Sequence, residues 1–304
     1  MNRRKFVRNS LLISGGIVFS GAAFAGKSKK ASKKLTILHT NDTHSNIDPF
    51  PSNHAKFPNM GGVSRRFELI KKIREEEEHV LLLDAGDIFQ GTPYFNKYGG
   101  VLELKIMSIL GYDAATMGNH DFDGGMDGFL KAAEFANFPF VCANYDFSNT
   151  ILKGKTQENV IIQKGSIKVG VFGIGIELEG LVPKDKFGAT IYLDPIAAAY
   201  QQAEILRKKG CDLIICLSHL GFEYASERIS DKVLAKNTKN IHLIIGGHTH
   251  TFMEKPFEEK NLEGKSVLIN QTGWGGLYMG RIDLEFQTEG FTKRNTGKEV
   301  VIVR

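Results

Sequence analysis

Val80-Leu81-Leu82-Leu83-Asp84-Ala85-Gly86-Asp87 is a short aliphatic run that stops at acid and glycine. Four apolar residues in a row, bounded by turn formers, predict a strand buried on both faces, as in a helix-covered parallel sheet. The same pattern recurs at 35–38, 114–117, 140–143, 169–174, 213–217 and 242–245. Between many of these runs lie stretches of helical spacing, at 63–73, 101–110, 128–138 and 195–209, the last opened by Pro195 after Asp194. Alternation of this kind predicts an α/β fold with a largely parallel sheet. From Lys265 onward strands crowd together, at 266–270 and 278–286, so the second half should contain an antiparallel or mixed sheet.

The chain of 304 residues carries 39 Lys and Arg against 34 Asp and Glu, a formal charge of +5, with 33 Gly and 3 Cys. Ordinary apolar content, glycine without a period and few, odd-numbered cysteines exclude a disordered chain, a collagen-like repeat and a disulfide framework. The positive charge is concentrated, because residues 1–34 hold nine basic side chains and no acidic ones. The other 30 basic residues face all 34 acids, a body of about −4, and no nucleic-acid partner is expected.

The basic segment reads as an export signal over residues 1–25: a charged start, an apolar stretch at 11–24, and the small-x-small cleavage site Ala23-Phe24-Ala25. Asn2-Arg3-Arg4-Lys5-Phe6-Val7-Arg8 resembles a twin-arginine signal, with Asn and Val where Ser and Leu are usual, so the general secretory route stays open. Gly15, Gly16 and Gly21 interrupt the apolar stretch, which is shorter than the roughly 20 residues of a membrane span. No stable membrane anchor is expected, and the destination is the periplasm or cell envelope of a bacterium. Residues 26–34 then form a flexible Lys-rich lead-in to one domain over 35–304. The acidic run 75–78 reads as the solvated end of a helix begun near Gly62.

In open α/β sheets ligands collect beyond the carboxyl ends of strands. Five such ends here carry metal-binding side chains: Asp42 and His44, Asp87, Asn119 with His120 through Asp123, His219, and Gly246-Gly247-His248-Thr249-His250. Asp42 and His44 stand two apart and would project together from an extended segment. Gly246 and Gly247 would let the backbone turn sharply and present His248 and His250 together.

This series resembles the calcineurin-like metallophosphatase superfamily. Leu38-His39-Thr40-Asn41-Asp42-Thr43-His44, Gly61-Gly62-Val63-Ser64-Arg65-Arg66, Asp84-Ala85-Gly86-Asp87-Ile88-Phe89-Gln90-Gly91 and Gly118-Asn119-His120-Asp121-Phe122-Asp123 are similar to the amino-terminal catalytic domain of the 5′-nucleotidase family. The resemblance covers about residues 35–286. It implies a four-layer α/β/β/α metallophosphatase sandwich, two facing mixed sheets flanked by helices, with 35–304 as the catalytic domain.

It further implies two divalent metal ions. Asp42, His44, Asp87 and His250 would hold one, and Asp87, Asn119, His219 and His248 the other, with Asp87 bridging. Nitrogen and oxygen ligands without thiolate suit Zn, Mn, Fe or Co. Two cations set against Asp42, Asp87 and a bridging hydroxide leave a site of about +1, which attracts phosphate esters, and the hydroxide would attack phosphorus in line. By the same resemblance His120 is no ligand but assists at the leaving oxygen, oriented by Asp123, whereas Asp121 makes only local turn hydrogen bonds. Cys142, Cys211 and Cys216 read as buried thiols, the last two on opposite sides of one strand. Arg65 and Arg66 read as surface residues, Thr272-Gly273-Trp274-Gly275-Gly276 as a turn between strands, and His54 and Trp274 as ordinary loop residues, with a place at the border of the substrate pocket as the lesser alternative for each. His39, His79 and His242 read as structural or surface residues.

The expected activity is an exported, binuclear metal-dependent phosphoric ester hydrolase of 5′-nucleotidase type, acting on a small phosphate ester such as a nucleotide. Alternatives are a cyclic-nucleotide phosphodiesterase or a sulfur-ester hydrolase of related build and, from a different class, a non-catalytic metal-bound subunit, against which the intact His120 and Asp123 argue. The resembling family carries a carboxyl-terminal domain that recognises the nucleoside, and this sequence stops at Arg304. The expectation is therefore action on small esters alone, or a separately encoded domain as partner.

Overall fold

Residues 33–287, 290–292 and 300–302 are described by a computed structural model. The export signal over 1–25 and residues 26–32 of the lead-in lie outside them. Strand β1 (Lys33–Thr40) begins two residues before the expected start and so absorbs the end of that lead-in. In chain order there follow α1 (Val63–Glu76), β2 (Val80–Asp84), α2 (Pro93–Tyr98), α3 (Val101–Leu110), β3 (Ala114–Ala115), a 3-10 turn (His120–Phe122), α4 (Gly125–Ala133), β4 (Tyr145–Asp146), β5 (Asn159–Lys164) and β6 (Ile167–Ile174). The second half contains α5 (Lys184–Phe187), β7 (Ile191–Tyr192), α6 (Pro195–Lys208), β8 (Leu213–Ser218), α7 (Asp231–Lys236), β9 (Leu243–Gly246), β10 (Phe257–Lys260), β11 (Ser266–Asn270), β12 (Tyr278–Gln287), β13 (Gly290–Thr292) and β14 (Val300–Ile302).

The strands form two mixed sheets. The first runs β13-β12-β1-β2-β3, with β14 also on β12; the second runs β10-β11-β9-β8-β6-β5. Each has a parallel centre, β1-β2-β3 and β6-β8-β9-β11, and antiparallel strands outside it. The parallel strands thus divide into two sheets, β1-β2-β3 and β6-β8-β9-β11, and β12 leaves its sequence neighbour β11 to pair with β1 in the first.

Alternation along the strands explains the layers. Leu35, Ile37, Leu81 and Leu83 of the first sheet share a core with Val169, Val171, Leu213, Ile215 and Leu217 of the second. Residues of opposite parity point away from it: Leu38 and Leu82 pack under α1 and α3 with Ile70 and Leu104. Ile214, Cys216 and Ile244 pack under α6 and α7 with Ala203 and Leu234. An aliphatic strand without alternation is what two buried faces require.

Helix α6 starts as the sequence predicts, with the Asp194 carboxylate accepting the N–H of Ile196 and Ala197 at 2.8 and 2.9 Å. Other boundaries shift. Helix α4 occupies Gly125–Ala133 rather than 128–138, and 140–143 makes only isolated bridges to Ala115 and Gln157. Glu77 is not solvated: it pairs with Lys34 at 2.6 Å and Arg281 at 2.5 Å, which ties the end of α1 to the first sheet. Cys142 and Cys216 are buried, but Cys211 is half-buried and packs against the same cluster as Cys216. It precedes β8, so the opposite-face argument does not reach it. Among the described residues no helix is long and apolar enough to cross a membrane.

Candidate metal centre

The site lies where β1, β2, β8 and β9 end. Its loops hold an unusual backbone: Asp42 (φ 49°), His44 (φ 47°), Asp87 (φ 53°), His248 (φ 71°) and His250 (φ 51°) all occupy the left-handed region. For non-glycine residues this costs on the order of 1–3 kcal/mol each and persists only when neighbours over-determine it. Asp42 and His44 therefore converge through a left-handed turn, not through an extended segment. Nor do Gly246 and Gly247 supply the sharp turn, since the positive φ falls on His248 itself. Gly247 is needed for close approach: a Cβ there would come within 2.8 Å of His219 Nδ1 and 3.0 Å of Asp42 Oδ2.

Two ligand groups result, Asp42 with His44 and His250, and Asp87 with His219 and His248. Asp87 Oδ2 lies 3.0 Å from His219 Nε2 and 3.8 Å from His44 Nε2, so it adjoins both. His44 Nε2 is 3.1 Å from His250 Nε2, and His250 Nε2 is 3.4 Å from Asp42 Oδ1. Asn119 Oδ1 stands 2.9 Å from His248 Nδ1, on the Asp87 side. The structure brings all seven residues predicted as ligands to one place.

The donor set fits divalent cations. His219 Nδ1 lies 2.7 Å from the Ala85 carbonyl, which can only accept, so Nδ1 carries the proton and Nε2 presents a lone pair. That Nε2 is buried without a hydrogen-bond partner, facing Asp87. His44 is fixed likewise, its Nδ1 held by the carbonyls of Gln90 at 3.1 Å and Phe89 at 3.3 Å, which turns Nε2 toward His250. Lone pairs and carboxylates converging in a buried space require a cation or protons between them. In protons alone, burial would lower His219, but Asp87 and Asp42 raise it to about 10. Burial would raise Asp87, but the imidazoles of His219, His44 and His120 hold it below the usual carboxylate range. Burial lowers His44, and burial with the charge of His219 lowers His248 to about 4.

His120 belongs to neither group. Its backbone N–H donates to Asp87 Oδ1 at 2.8 Å, and its Nδ1 lies 2.8 Å from Asp123 Oδ2. That bond to Asp123 raises its pKa, against burial. The side chain is 42% exposed and, with His44, Gln90, Thr92, Pro93 and Asn96, lines an open cleft of about 510 Å3.

Several supporting residues escaped the sequence. Asp121 is more than a local turn former: its buried carboxylate accepts the N–H of Asp87 at 3.0 Å, Ile88 at 3.0 Å, Phe89 at 3.2 Å and Gly118 at 2.8 Å, fastening the Asp87 loop to the His120 turn. Gln271 donates to the Gly247 carbonyl at 2.9 Å and accepts from Thr249 Oγ1 at 3.1 Å and Thr251 N at 3.2 Å, holding the loop that carries His248 and His250. Asn41 donates to Asp42 Oδ2 at 2.5 Å and to the Gly273 carbonyl at 2.8 Å. The turn 272–276 is thus a brace beneath the ligands, and Trp274 stacks on His250 with ring centroids 6.1 Å apart. Asn41 adjoins a motif residue and could have been suspected, whereas Gln271 carries no local signal.

The remaining candidates stay structural. Arg65 donates to the carbonyls of Asn59 and Gly61, and Arg66 is buried rather than on the surface. His54 packs between Phe50 and Phe57. His39 is fully buried beside Asn270, burial lowering its pKa to about 3.

Comparison with known proteins agrees with this geometry. The family described as calcineurin-like phosphoesterase matches residues 35–252. A snake venom 5′-nucleotidase of Gloydius brevicauda is 32% identical over 96% of this chain and 51% of its own length. The 5′-nucleotidase of Bos taurus is 31% identical over 88% of this chain and 49% of its own. Among solved structures, a 5′-nucleotidase precursor from Thermus thermophilus superposes with a TM-score of 0.79 at 32% identity, covering 89% of this chain and 55% of that one. The chain spans about half the length of these relatives.

Proposed function

The chain belongs to the calcineurin-like phosphoesterase family, and from that premise we propose that it is a binuclear metal-dependent phosphoric ester hydrolase acting on nucleoside 5′-monophosphates. The observation that carries this reading is the pair of ligand groups meeting at Asp87, with the lone pair of His219 Nε2 turned into them and the His120–Asp123 pair alongside. The nucleotide part rests on the 5′-nucleotidase relatives.

Asp42, His44 and His250 would hold one divalent ion and Asp87, Asn119, His219 and His248 the other, with Asp87 between them. Bound there, the two ions would supply Lewis-acid charge to a phosphoryl group and lower the pKa of a water toward neutrality. Asp123 fixes the His120 ring through Nδ1, which leaves Nε2 to face the cleft. Because Asp123 raises its pKa, His120 keeps a proton on Nε2 to higher pH than a free imidazole, suited to donation to a leaving alkoxide. The His120 backbone N–H donates to one Asp87 oxygen and holds that carboxylate in place.

The test is to load purified protein with Mn or Zn and assay mononucleotides, cyclic nucleotides, sugar phosphates and an aryl phosphate, with elemental analysis of the same samples. Two metals per chain and turnover of 5′-mononucleotides are expected. Turnover of cyclic nucleotides alone would replace the substrate class, and a metal-free active protein would defeat the mechanism. Export by residues 1–25 is tested by fractionating cells expressing the chain with and without those residues, deletion being expected to retain it inside; retention of a chain with Arg3 and Arg4 both changed to Lys would assign the twin-arginine route, and its export the general secretory one. A separately encoded nucleoside-recognition domain is tested by pull-down followed by AMP assays with and without the captured partner.

A further inference from the structure

On the phosphoesterase reading, the departing oxygen takes its proton from His120 Nε2, so the alcohol released lies beside that ring. The cleft of about 510 Å3 on that side is bounded, besides His44 and His120, by Gln90, Gly91, Thr92, Pro93 and Asn96. None of these five residue types carries a charge, so the cleft offers hydrogen bonds without a counter-charge.

Gln90 is fixed in this wall through both backbone and side chain. Its carbonyl lies 3.1 Å from Nδ1 of the ligand His44, and its φ of 64° is left-handed, like that of His44 itself. In a non-glycine residue such a backbone persists only where its surroundings over-determine it. The loop is pressed against His44: a Cβ on Gly91 would come within 2.8 Å of the His44 carbonyl oxygen and 2.9 Å of its Cβ. Gln90 Oε1 accepts the Gly91 N–H at 2.9 Å. A backbone N–H can only donate, so the atom that meets it is the amide oxygen, and the NH2 end is left for a ligand. Thr92 donates its hydroxyl to the Ser45 carbonyl at 2.7 Å, which leaves its oxygen as an acceptor. Asn96 is exposed on α2 and adds an amide with both functions.

We propose that this cleft takes the neutral, hydroxylated alcohol of the substrate, and that Gln90 is a specificity-determining residue whose Nε2 donates to a sugar hydroxyl of a bound 5′-mononucleotide. The assignment rests on the phosphoesterase reading and deepens it, because recognition of the leaving group then falls to residues next to the metal ligands. The bond to Gly91 orders the Gln90 side chain before the substrate arrives, which reduces the entropy lost on binding.

The experiment compares wild type, Gln90→Ala, Asn96→Ala and the surface control Arg207→Ala, all as Mn-loaded full-length protein with metal content measured. Turnover of AMP, 2′,3′-dideoxy-AMP and phenyl phosphate gives kcat/KM. Calorimetry follows binding of inorganic phosphate and of the AMP phosphonate in which CH2 replaces the ester oxygen, which binds without turnover. Wild type should favour AMP over its dideoxy analogue, and Gln90→Ala should narrow that preference. Gln90→Ala should also lower kcat/KM for AMP relative to phenyl phosphate, and affinity for the phosphonate relative to inorganic phosphate, by more than about twofold and up to about tenfold, the range of one neutral hydrogen bond. Ratios are the readout because a disturbance passed through His44 would weaken all ligands alike. Should Gln90→Ala fold poorly or lose metal, Asn96→Ala, at an exposed helix position, judges the cleft by the same ratios. Ratios within about twofold of wild type overturn the assignment, as does a wild type indifferent to the sugar hydroxyls. Wild type that binds the phosphonate yet hydrolyses no ester would defeat the proposed function while the calorimetry still judges the cleft.

Discussion

Replacing Asp121 by Asn removes one oxygen from a fully buried carboxylate while keeping its shape. In the native protein Oδ2 accepts the N–H of Asp87 and Gly118, and Oδ1 those of Ile88 and Phe89. An amide can accept at one atom only, so two backbone donors are left facing an NH2 group. Each buried, unsatisfied donor costs about 1–3 kcal/mol, which gives about 2–6 kcal/mol in all. Burial and the nearby charge of Asp87 push the Asp121 carboxyl up to about 7, and a neutral amide escapes that cost, so the lower part of the range, about 2–4 kcal/mol, applies. For a domain of this size that lowers Tm by about 5–15 °C. The same bonds hold Asp87 at φ 53°, so metal affinity should also fall, by about 10–100-fold as for other changes behind a ligand. Thermal melts with and without metal, and metal titration of Asp121→Asn beside the exposed control Asp127→Asn, test both numbers. A variant that melts within about 1–2 °C of wild type and binds metal normally would show that the four bonds do not carry this load.

Other expectations follow from the same geometry. His120→Ala should lower kcat about 100–10,000-fold with both metals retained on elemental analysis; metal loss would assign it a ligand role instead. Gly247→Ala drives a Cβ to 2.8 Å from His219 Nδ1, so metal content should fall even though the substitution is small; full occupancy would contradict the close-approach argument. Burial would raise Asp283, but the Thr36 hydroxyl, Arg281 and Lys34 lower it, so its stabilisation is present above the unfolded carboxyl pKa and is lost as pH falls through the folded one. Melting curves between about pH 2 and 5 should therefore drop less steeply for Asp283→Asn than for wild type; parallel curves would refute the linkage.

The donor residues of the candidate site were legible where chemistry is local. Each ligand sits just past an aliphatic run, and since a strand buried on both faces must be aliphatic, runs such as Leu81 to Leu83 announce both the strand and the end at which Asp87 appears. Sequence also singled out Pro195 after Asp194 as a helix start, because a cap needs only neighbours. It could not reveal that β12 crosses to β1 while β11 stays with β9, since pairing depends on which face each strand must bury. It misjudged Arg66 and Asp121 for the same reason: the partners of Asp121 include Asp87, Ile88 and Phe89, and nothing in the turn around it calls for them.

The sequence by itself determined the donor types and their order, Asp42, His44, Asp87, Asn119, His219, His248 and His250, because ligand chemistry belongs to side chains. Only the tertiary structure decided how they meet. The left-handed backbone at five of them is paid for by contacts from elsewhere, through Asn41, Asp121 and Gln271. Such strain is invisible in a linear pattern, because the groups that hold it in place come from distant parts of the chain.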